Sequence, residues 1–319
     1  MKIAFYCDLK LNNYLTNPIE YKYLHGRHSA TGYYFWILKN SGIKNVYLVQ
    51  DKNDLINYDV IVFHYDNYED IKSLNKIKIQ VVTDRPMIEG CHLYIMANQS
   101  FFIKINDFKL IQRYGIENTF NTWITDKSKL SFIHYPPTFG VKKCQPEHPP
   151  KIFKFVGRKH TNISEIQSAN FIKYCEKYDI NLIFDYENDA NSGDEDVYFC
   201  IRNVLDVCKL TGKNNNSGKY GHRTSNRLYQ SWFMRTPAIF NNSPEMQCIR
   251  SNELDYLIAN NQDEFLQQAL RLKNDKDLFK AMIENGESKN NLNPYHNLAI
   301  IIDQWNDAFS KVNAKLIYD

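Results

Sequence analysis

The sequence predicts an α/β protein of two domains, each built on a parallel β-sheet with helices on both faces. Short apolar runs alternate with longer amphipathic runs along the chain, which is the order of strands and helices in doubly wound sheets. The strand-like runs are apolar on both faces, as in sheets buried between two helical layers. A stretch with five prolines, from Tyr135 to Lys151, separates two series of this kind and is predicted to be a linker.

The first series predicts an N-terminal domain, 1–145. Its one clear helix is ATGYYFWILKNSG, which Gly42 ends. Its predicted strands are KIAFYC, NVYLVQ, YDVIVFHY, KIQVVTD and HLYIMANQ. The first of these is too short for the apolar region of a signal peptide, and no run approaches the roughly twenty apolar residues of a membrane-spanning helix. We therefore expect a cytoplasmic protein, and peripheral contact with a membrane surface remains open.

The second series predicts a C-terminal domain, 151–293. Its predicted strands are KIFKFVGR, INLIFDY, DVYFCIR, TPAIF and LDYLIA. One amphipathic helix, ISEIQSANFIKYCEKYD, lies near its start, and another begins near Thr224 or Ser225, either of which can cap it. The closing helices are predicted at NQDEFLQQALRLKNDKDLFKAMIENG and YHNLAIIIDQWNDAFSKVNAKLI.

Composition narrows the class of function. A net charge of +3 is close to balanced and argues against a nucleic-acid partner. The seven cysteines form no C-x-x-C pair, and several lie in apolar runs, which is typical of reduced cysteines in a cytosolic protein. No H-E-x-x-H, P-loop lysine motif or G-x-G-x-x-G after the first strand is present, so zinc hydrolases, ATPases and NAD enzymes lose support. Asp194 and Asp196 form a D-x-D before a strand, and they are predicted to be surface acids.

Positive charge gathers in one part of the second series. Arg202 directly follows the apolar run DVYFCI, and Lys219 and Arg223 precede the helix expected to begin near Ser225, whose first turn contains Arg227. Ligands of parallel sheets bind at the carboxyl ends of the strands, where helix N-termini favour anions. A cation at a helix N-terminus opposes the helix macrodipole. The pattern therefore favours a bound phosphate, with solvent-exposed charge as the alternative.

A second basic group, GRKHTN, follows the strand KIFKFV. Gly157 would let the backbone approach a ligand closely, and Arg158 and Lys159 could reach a diphosphate. Because this strand belongs to the same predicted sheet, we expect both basic groups at the same edge.

Candidate general bases lie in the first series. His28 is predicted in the loop that enters the first helix, and a histidine there could act as a base because its pKa lies near neutrality. Asp84 and Asp8 each follow a predicted strand. The alternatives are that His28 packs or caps and that Asp84 only pairs with Arg85.

The order of parts resembles the nucleotide-sugar glycosyltransferases of the GT-B fold, with a second domain similar to glycosyltransferase families 1 and 4. The most specific stretch is NRLYQSWFMRTPAIFNNSPEMQCI, in which a helix is followed by Thr-Pro, an apolar strand, a short loop and Pro-Glu. DVYFCIRN, FVGR and HYPP also look like counterparts of that group. The resemblance is architectural over most of the chain and motif-level over about fifty residues.

This resemblance implies two Rossmann-like domains that face a central cleft, with a final helix, 294–319, crossing back to the first domain. It implies transfer from a UDP- or GDP-sugar to a glycan or glycolipid hydroxyl, in polysaccharide biosynthesis, with neither a metal ion nor another cofactor. Asn226, Gln230 and Glu245 would join the donor site. Many retaining members carry two glutamates eight residues apart, where this sequence has His222 and Gln230, so the stereochemical outcome stays open.

Two other interpretations remain open. A nucleotide-sugar epimerase or hydrolase of the same fold would turn over the donor without an acceptor. A non-catalytic protein that binds nucleotide sugars or glycans would bind without turnover.

Overall fold

The computed structural model contains two α/β units. The first unit comprises the described residues up to 137 together with 298–318, and the second comprises those in 141–200 and 226–297. The structure describes residues 1–8, 26–82, 87–97, 127–137, 141–156, 165–185, 197–200, 226–242 and 244–318. Among these residues, no helix is both long and apolar enough to span a membrane.

Eleven strands and eight α-helices lie in the described residues. The strands are β1 (Ile3–Tyr6), β2 (Val46–Val49), β3 (Val60–His64), β4 (Ile77–Val82), β5 (Leu93–Met96), β6 (Leu130–Phe132), β7 (Ile152–Val156), β8 (Asn181–Asp185), β9 (Val197–Cys200), β10 (Ala238–Phe240) and β11 (Leu257–Ile258). The helices are α1 (Gly26–Asn40), α2 (Tyr68–Ile71), α3 (Ala169–Glu176), α4 (Asn226–Met234), α5 (Pro244–Ile249), α6 (Gln262–Asn274), α7 (Lys276–Ser288) and α8 (Ala299–Ser310).

The first unit is built on a parallel sheet in the order β2-β1-β3-β4-β5-β6. Alternate side chains of β1 enter different cores: Ile3 and Phe5 face one, and Ala4 and Tyr6 face the other. Both faces of the sheet are therefore buried, as the strand composition predicts. The strand order reverses between β1 and β3, so the carboxyl ends of these two strands flank the position where parallel sheets bind ligands.

The last helix, α8, completes the core of the first unit. The ring of Trp305 is fully buried and lies edge-on, with its centroid 5.3 Å from that of Phe5 and 5.2 Å from that of Tyr34. The side-chain oxygen of Gln304 accepts a hydrogen bond from the backbone N–H of His134, just after β6, at 2.9 Å. Helix α8 thus belongs structurally with strands that precede it by well over one hundred residues.

A single asparagine ties both chain ends to the first unit. The Nδ2 of Asn45 donates to the carbonyl oxygens of Met1 (2.9 Å) and Lys315 (2.8 Å), and its Oδ1 accepts from the N–H of Ile317 (2.9 Å). Asn45 is buried, so these bonds meet the need of a buried amide for hydrogen-bond partners.

The second unit repeats the same plan with the sheet order β11-β10-β9-β7-β8, again parallel throughout. Aromatic side chains join its strands to α6: the Phe265 ring lies 6.2 Å from that of Phe153 and 4.9 Å from that of Phe199, centroid to centroid. The order reverses between β7 and β9, which makes their carboxyl ends the expected ligand edge of this sheet.

Several elements differ from the sequence prediction. Helix α1 begins at Gly26, so His28 lies in its first turn and not in the preceding loop. Helix α3 is shorter than predicted because the hydroxyl of Ser168 accepts from the N–H of Phe171 (3.2 Å) and starts the helix there. Strand β6 is only three residues long and was not predicted from the sequence.

The helix predicted over 261–286 is two helices. Asp275 has extended backbone angles (φ −112°, ψ 93°), so it ends α6 and begins α7. Its carboxylate accepts from the N–H of Leu278 at 2.8 Å, which satisfies an N–H that the helix start leaves open.

Candidate functional site

The carboxyl edge of the second sheet is the candidate donor site. Strands β7 and β9 are direct neighbours there, with Phe155 paired to Phe199. The predicted phosphate-binding residues Arg158, Lys159 and Arg202 follow these strands closely in sequence, and all three lie outside the described residues.

Helix α4 contributes the described part of this candidate site. It leads into β10, and a helix that leads into a strand of a parallel sheet begins at the carboxyl edge of that sheet. It begins at Asn226, and its first turn contains no acidic residue. Of the other predicted donor residues, Lys219, Arg223 and Ser225 lie outside the described residues.

Two of the predicted donor residues contact each other on α4. Nη1 of Arg227, which is partly buried, donates to Oε1 of Gln230 at 3.2 Å. Gln230 itself is fully buried, with none of its surface exposed. Its Nε2 has no hydrogen-bond partner among the residues that the structure describes. The arrangement places a neutral amide directly against a guanidinium at the start of the helix.

The end of α4 fixes how the helix joins the sheet. Arg235 has a left-handed backbone (φ 66°), and the N–H of Thr236 donates to the carbonyl of Ser231 at 3.0 Å. The N–H of Arg235 donates to the carbonyl of Trp232 at 3.2 Å. These two bonds form a Schellman-type ending, after which Pro237 prevents continuation of the helix. The Thr-Pro signal in the sequence is therefore the point at which α4 turns into β10.

A buried ionic cluster around Asp255 contacts α4 at Trp232. The carboxylate of Asp255 accepts hydrogen bonds from the ammonium of Lys289, from Nδ2 of Asn285 (2.9 Å) and from the N–H of Ser251 (2.6 Å). Burial alone would raise the pKa of Asp255, but these donors outweigh it and lower the pKa to about 2. Nε1 of Trp232 donates to the Asp255 carbonyl at 3.2 Å, and Lys289 lies 4.8 Å from the centroid of that indole ring.

Asparagines join the carboxyl ends of β10 and β11. The N–H of Asn242 donates to Oδ1 of Asn260 at 3.1 Å, and Nε2 of Gln247 donates to Oδ1 of Asn242 at 2.7 Å. Glu245, a predicted donor residue, lies on α5 directly after this loop, and its side chain is outside the description. These amides were not predicted as site residues, although each Asn-Asn pair directly follows an apolar run.

The predicted bases belong to the carboxyl edge of the first sheet, and the structure describes only some of them. Asp8 lies two residues after β1 and is exposed. His28 lies in the first turn of α1, and its side chain is outside the description. Asp84, which follows β4, lies outside the described residues altogether.

Two further polar groups at this edge were missed by the sequence analysis. The hydroxyl of Tyr6 donates to Oδ2 of Asp70 at 2.8 Å, and burial together with that carboxylate raises the pKa of Tyr6 well above its usual range. His64 ends β3, is buried, and accepts from the N–H of Asp66 at its Nδ1 (3.4 Å). A polar residue closing the apolar run VIVFH was the available signal.

The described residues contain no group of three or more His, Cys, Asp or Glu side chains that could hold a metal ion. The described residues place at the start of α4 the guanidinium of Arg227 and the partial positive charge of the helix N-terminus.

Comparison with known proteins gives the fold. No family model matches this sequence, and no curated protein sequence matches it. AviGT4, a glycosyltransferase involved in avilamycin A biosynthesis, has a TM-score of 0.55 and 11% identity, covering 99% of this chain and 100% of its own. HepE of Anabaena, in complex with UDP and glucose, has a TM-score of 0.53 and 9% identity, covering 95% and 98%.

Sucrose-phosphate synthase from Thermosynechococcus elongatus is similar over a smaller part of its length. Its TM-score is 0.53 and its identity 11%, with 81% of this chain and 74% of that chain covered. These similarities confirm the predicted fold, that of the GT-B glycosyltransferases. At such low identity they establish the fold and leave the activity to be argued from the site.

Proposed function

We propose that this chain is a glycosyltransferase that moves a sugar from a UDP- or GDP-sugar to a hydroxyl of a glycan or glycolipid, without a metal ion. The proposal rests on the structure of the donor edge of the second sheet. There the strand order reverses between β7 and β9, and a helix without acidic residues begins with Asn226 and Arg227. The similarity to HepE, whose structure contains UDP and glucose, supports a nucleotide-sugar donor.

The chemistry explains why cations are needed at this edge. Breaking the bond between the sugar and the nucleotide leaves negative charge on the departing diphosphate, and fixed positive groups lower the barrier by stabilising that charge. Arg227 and the N-terminus of α4 supply part of the positive charge that is needed. The residues proposed to complete the phosphate site are Arg158, Lys159, Arg202, Lys219, Arg223, Ser225 and Asn226. Glu245 on α5 is proposed to bind a hydroxyl of the donor's sugar or ribose.

The acceptor hydroxyl needs a base if the reaction inverts the anomeric carbon. His28 is the proposed base because an imidazole with its pKa near neutrality can take a proton at the pH of the cell. Asp84 and Asp8 are the alternatives. A cytoplasmic location is part of the proposal, with contact to a membrane surface where the acceptor is a glycolipid.

Turnover assays test the proposed function. The purified protein is incubated with UDP-, GDP- and CMP-sugars, with and without glycan acceptors, in the presence and absence of EDTA. Transfer that requires an acceptor and survives EDTA is expected. Turnover of the donor alone would instead show an epimerase or hydrolase, binding without turnover would show a binding protein, and strict metal dependence would contradict the mechanism.

Substitution of Arg227 tests the phosphate role directly. Arg227→Ala should weaken binding of the nucleoside diphosphate by about tenfold or more, the usual effect of losing one charge-assisted contact to phosphate. Arg271→Ala is a matched control, because Arg271 is exposed on α6 and pairs with Glu253 (3.0 Å). Calorimetric titration measures both, and equal affinities for the two variants would contradict the assignment of Arg227.

A further inference from the structure

A hydrogen bond joins the charged guanidinium of Arg227 to the neutral amide of Gln230. The two residues are three apart on α4, so their side chains lie on the same face of the helix. Gln230 is fully buried, and its Oε1 accepts from Arg227, so the amide is fixed in place beside the guanidinium. Arg227 is only partly buried, and the fixed amide holds its guanidinium at Nη1.

The neutrality of the amide matters for the charge at the donor edge. A glutamate at position 230 has nearly the same shape and would also accept from Arg227, but it would form an ion pair. The net charge of the pair would then be zero, whereas with glutamine it is +1. Charges in partly buried sites are screened weakly, so this difference acts strongly on any third charged group nearby.

The start of α4 adds further positive charge and no negative charge. No acidic side chain lies in the first turn of α4, and the helix N-terminus carries a partial positive charge of its own. The described start of the helix therefore concentrates positive charge that neither Gln230 nor the first turn offsets.

We propose that Gln230 is a positioning residue for the donor diphosphate: its neutral amide orients the Arg227 guanidinium towards the phosphates without adding a negative charge beside it. This inference rests on the proposed function, because it requires an anionic donor at the start of α4. It separates the role of Gln230 from that of a ligand contact, since the residue acts through Arg227.

A charge-selective binding measurement tests the proposal. Gln230→Glu is compared with the wild type for binding of UDP and GDP, and of the uncharged nucleosides uridine and guanosine. The variant should lose about tenfold or more in affinity for the diphosphate that the wild type binds, because one opposing charge is added beside the guanidinium. Its affinity for the matching nucleoside should change less than about threefold. Gln267→Glu, on the exposed side of α6, adds the same charge elsewhere and should change neither.

A second variant keeps the test decisive if the glutamate variant does not fold. Gln230→Met has a similar volume and no charge, and it removes the acceptor that holds Arg227. It should weaken diphosphate binding by a few-fold, less than Gln230→Glu, and leave nucleoside binding unchanged.

The outcomes separate this inference from the function on which it rests. Equal losses for diphosphate and nucleoside would show a structural role only, and wild-type affinity for the diphosphate in both variants would overturn the positioning role while leaving the proposed function intact. If the wild type binds neither UDP nor GDP, the proposed function itself fails.

Discussion

At the scale of single residues, Asp255 shows how one buried carboxylate fixes neighbouring elements. Its partners Asn285 and Lys289 lie 30 and 34 residues further along the chain, at the end of α7. The ordinary pKa of 3.8 falls to about 2 in the folded protein. Because the unfolded chain binds this proton more tightly than the folded protein, the carboxylate stabilises the fold above about pH 4 and loses that effect as the pH falls through about 2.

Replacement of this carboxylate should be costly at neutral pH. Asp255→Asn should lower the free energy of unfolding by about 3 kcal/mol, because it leaves the Lys289 ammonium without its buried partner. The difference from the wild type should shrink as the pH falls from about 4 towards 2. Urea unfolding across that range measures both effects. Asp303→Asn, exposed on α8, is the control, and a loss at neutral pH no larger than the control's would contradict the assignment.

Residue-level features were the least predictable from sequence. The positive charge around α4 was visible as a local cluster, so Arg227 could be singled out as a candidate. The roles of Asp255 and His64 depend on burial and on the fold around them, which no local pattern encodes. The contact of Gln230 with Arg227 was equally hidden, because three-residue spacing on a helix permits it but does not require it.

At the scale of elements, the packing of α7 against α4 depends on one glycine. A Cβ added at Gly286 would lie 3.0 Å from Cδ1 of Trp232 and 3.4 Å from its Cα. The indole cannot easily move away, because Nε1 donates to the carbonyl of Asp255 and Lys289 lies over the ring. Gly286 is therefore required for close approach of the two helices, although glycine is a poor helix former.

Substitution of this glycine should separate packing from helix propensity. Gly286→Ala gains about 1 kcal/mol of helix propensity but overpacks the contact at a cost of about 1–3 kcal/mol. We expect a net loss of about 1 kcal/mol, seen as a lower Tm, with Glu284→Ala on the exposed face of α7 as the control. In a Trp232→Ala background, which removes Cγ and Cδ1, the cost of Gly286→Ala should fall. A raised Tm for Gly286→Ala in the wild-type background would contradict the packing argument.

Elements themselves were predicted well where their patterning was strong. The described strands of both sheets, except the three-residue β6, were recognised because burial on two faces demands continuous apolar runs. The break between α6 and α7 was missed because the amphipathic pattern continues through it. Only the backbone angles of Asp275 and its bond to Leu278 reveal that one helix ends and another begins.

At the scale of the whole molecule, the first unit is assembled from distant parts of the chain. The side chains of α8 that enter its core are fully buried: Ile301, Trp305, Ala308 and Phe309. The segment after α8 is fixed as well, since Asn45 bonds to both Lys315 and Ile317. The second unit has a separate core formed within 141–297. The two units should therefore differ in how they depend on the C-terminal segment.

Fragments of the chain test this difference. A fragment of residues 1–137 should fail to fold alone, because burial of each large side chain of α8 contributes about 1.5–3 kcal/mol and a domain is stable by only about 5–15 kcal/mol. Adding a peptide of residues 298–319 should restore a cooperative unfolding transition, followed by near-UV circular dichroism. The same peptide with Trp305→Ala should bind far more weakly, because the substitution removes the ring that packs on Phe5 and Tyr34. Cooperative folding of the fragment without any peptide would show that α8 only covers a core that is already complete.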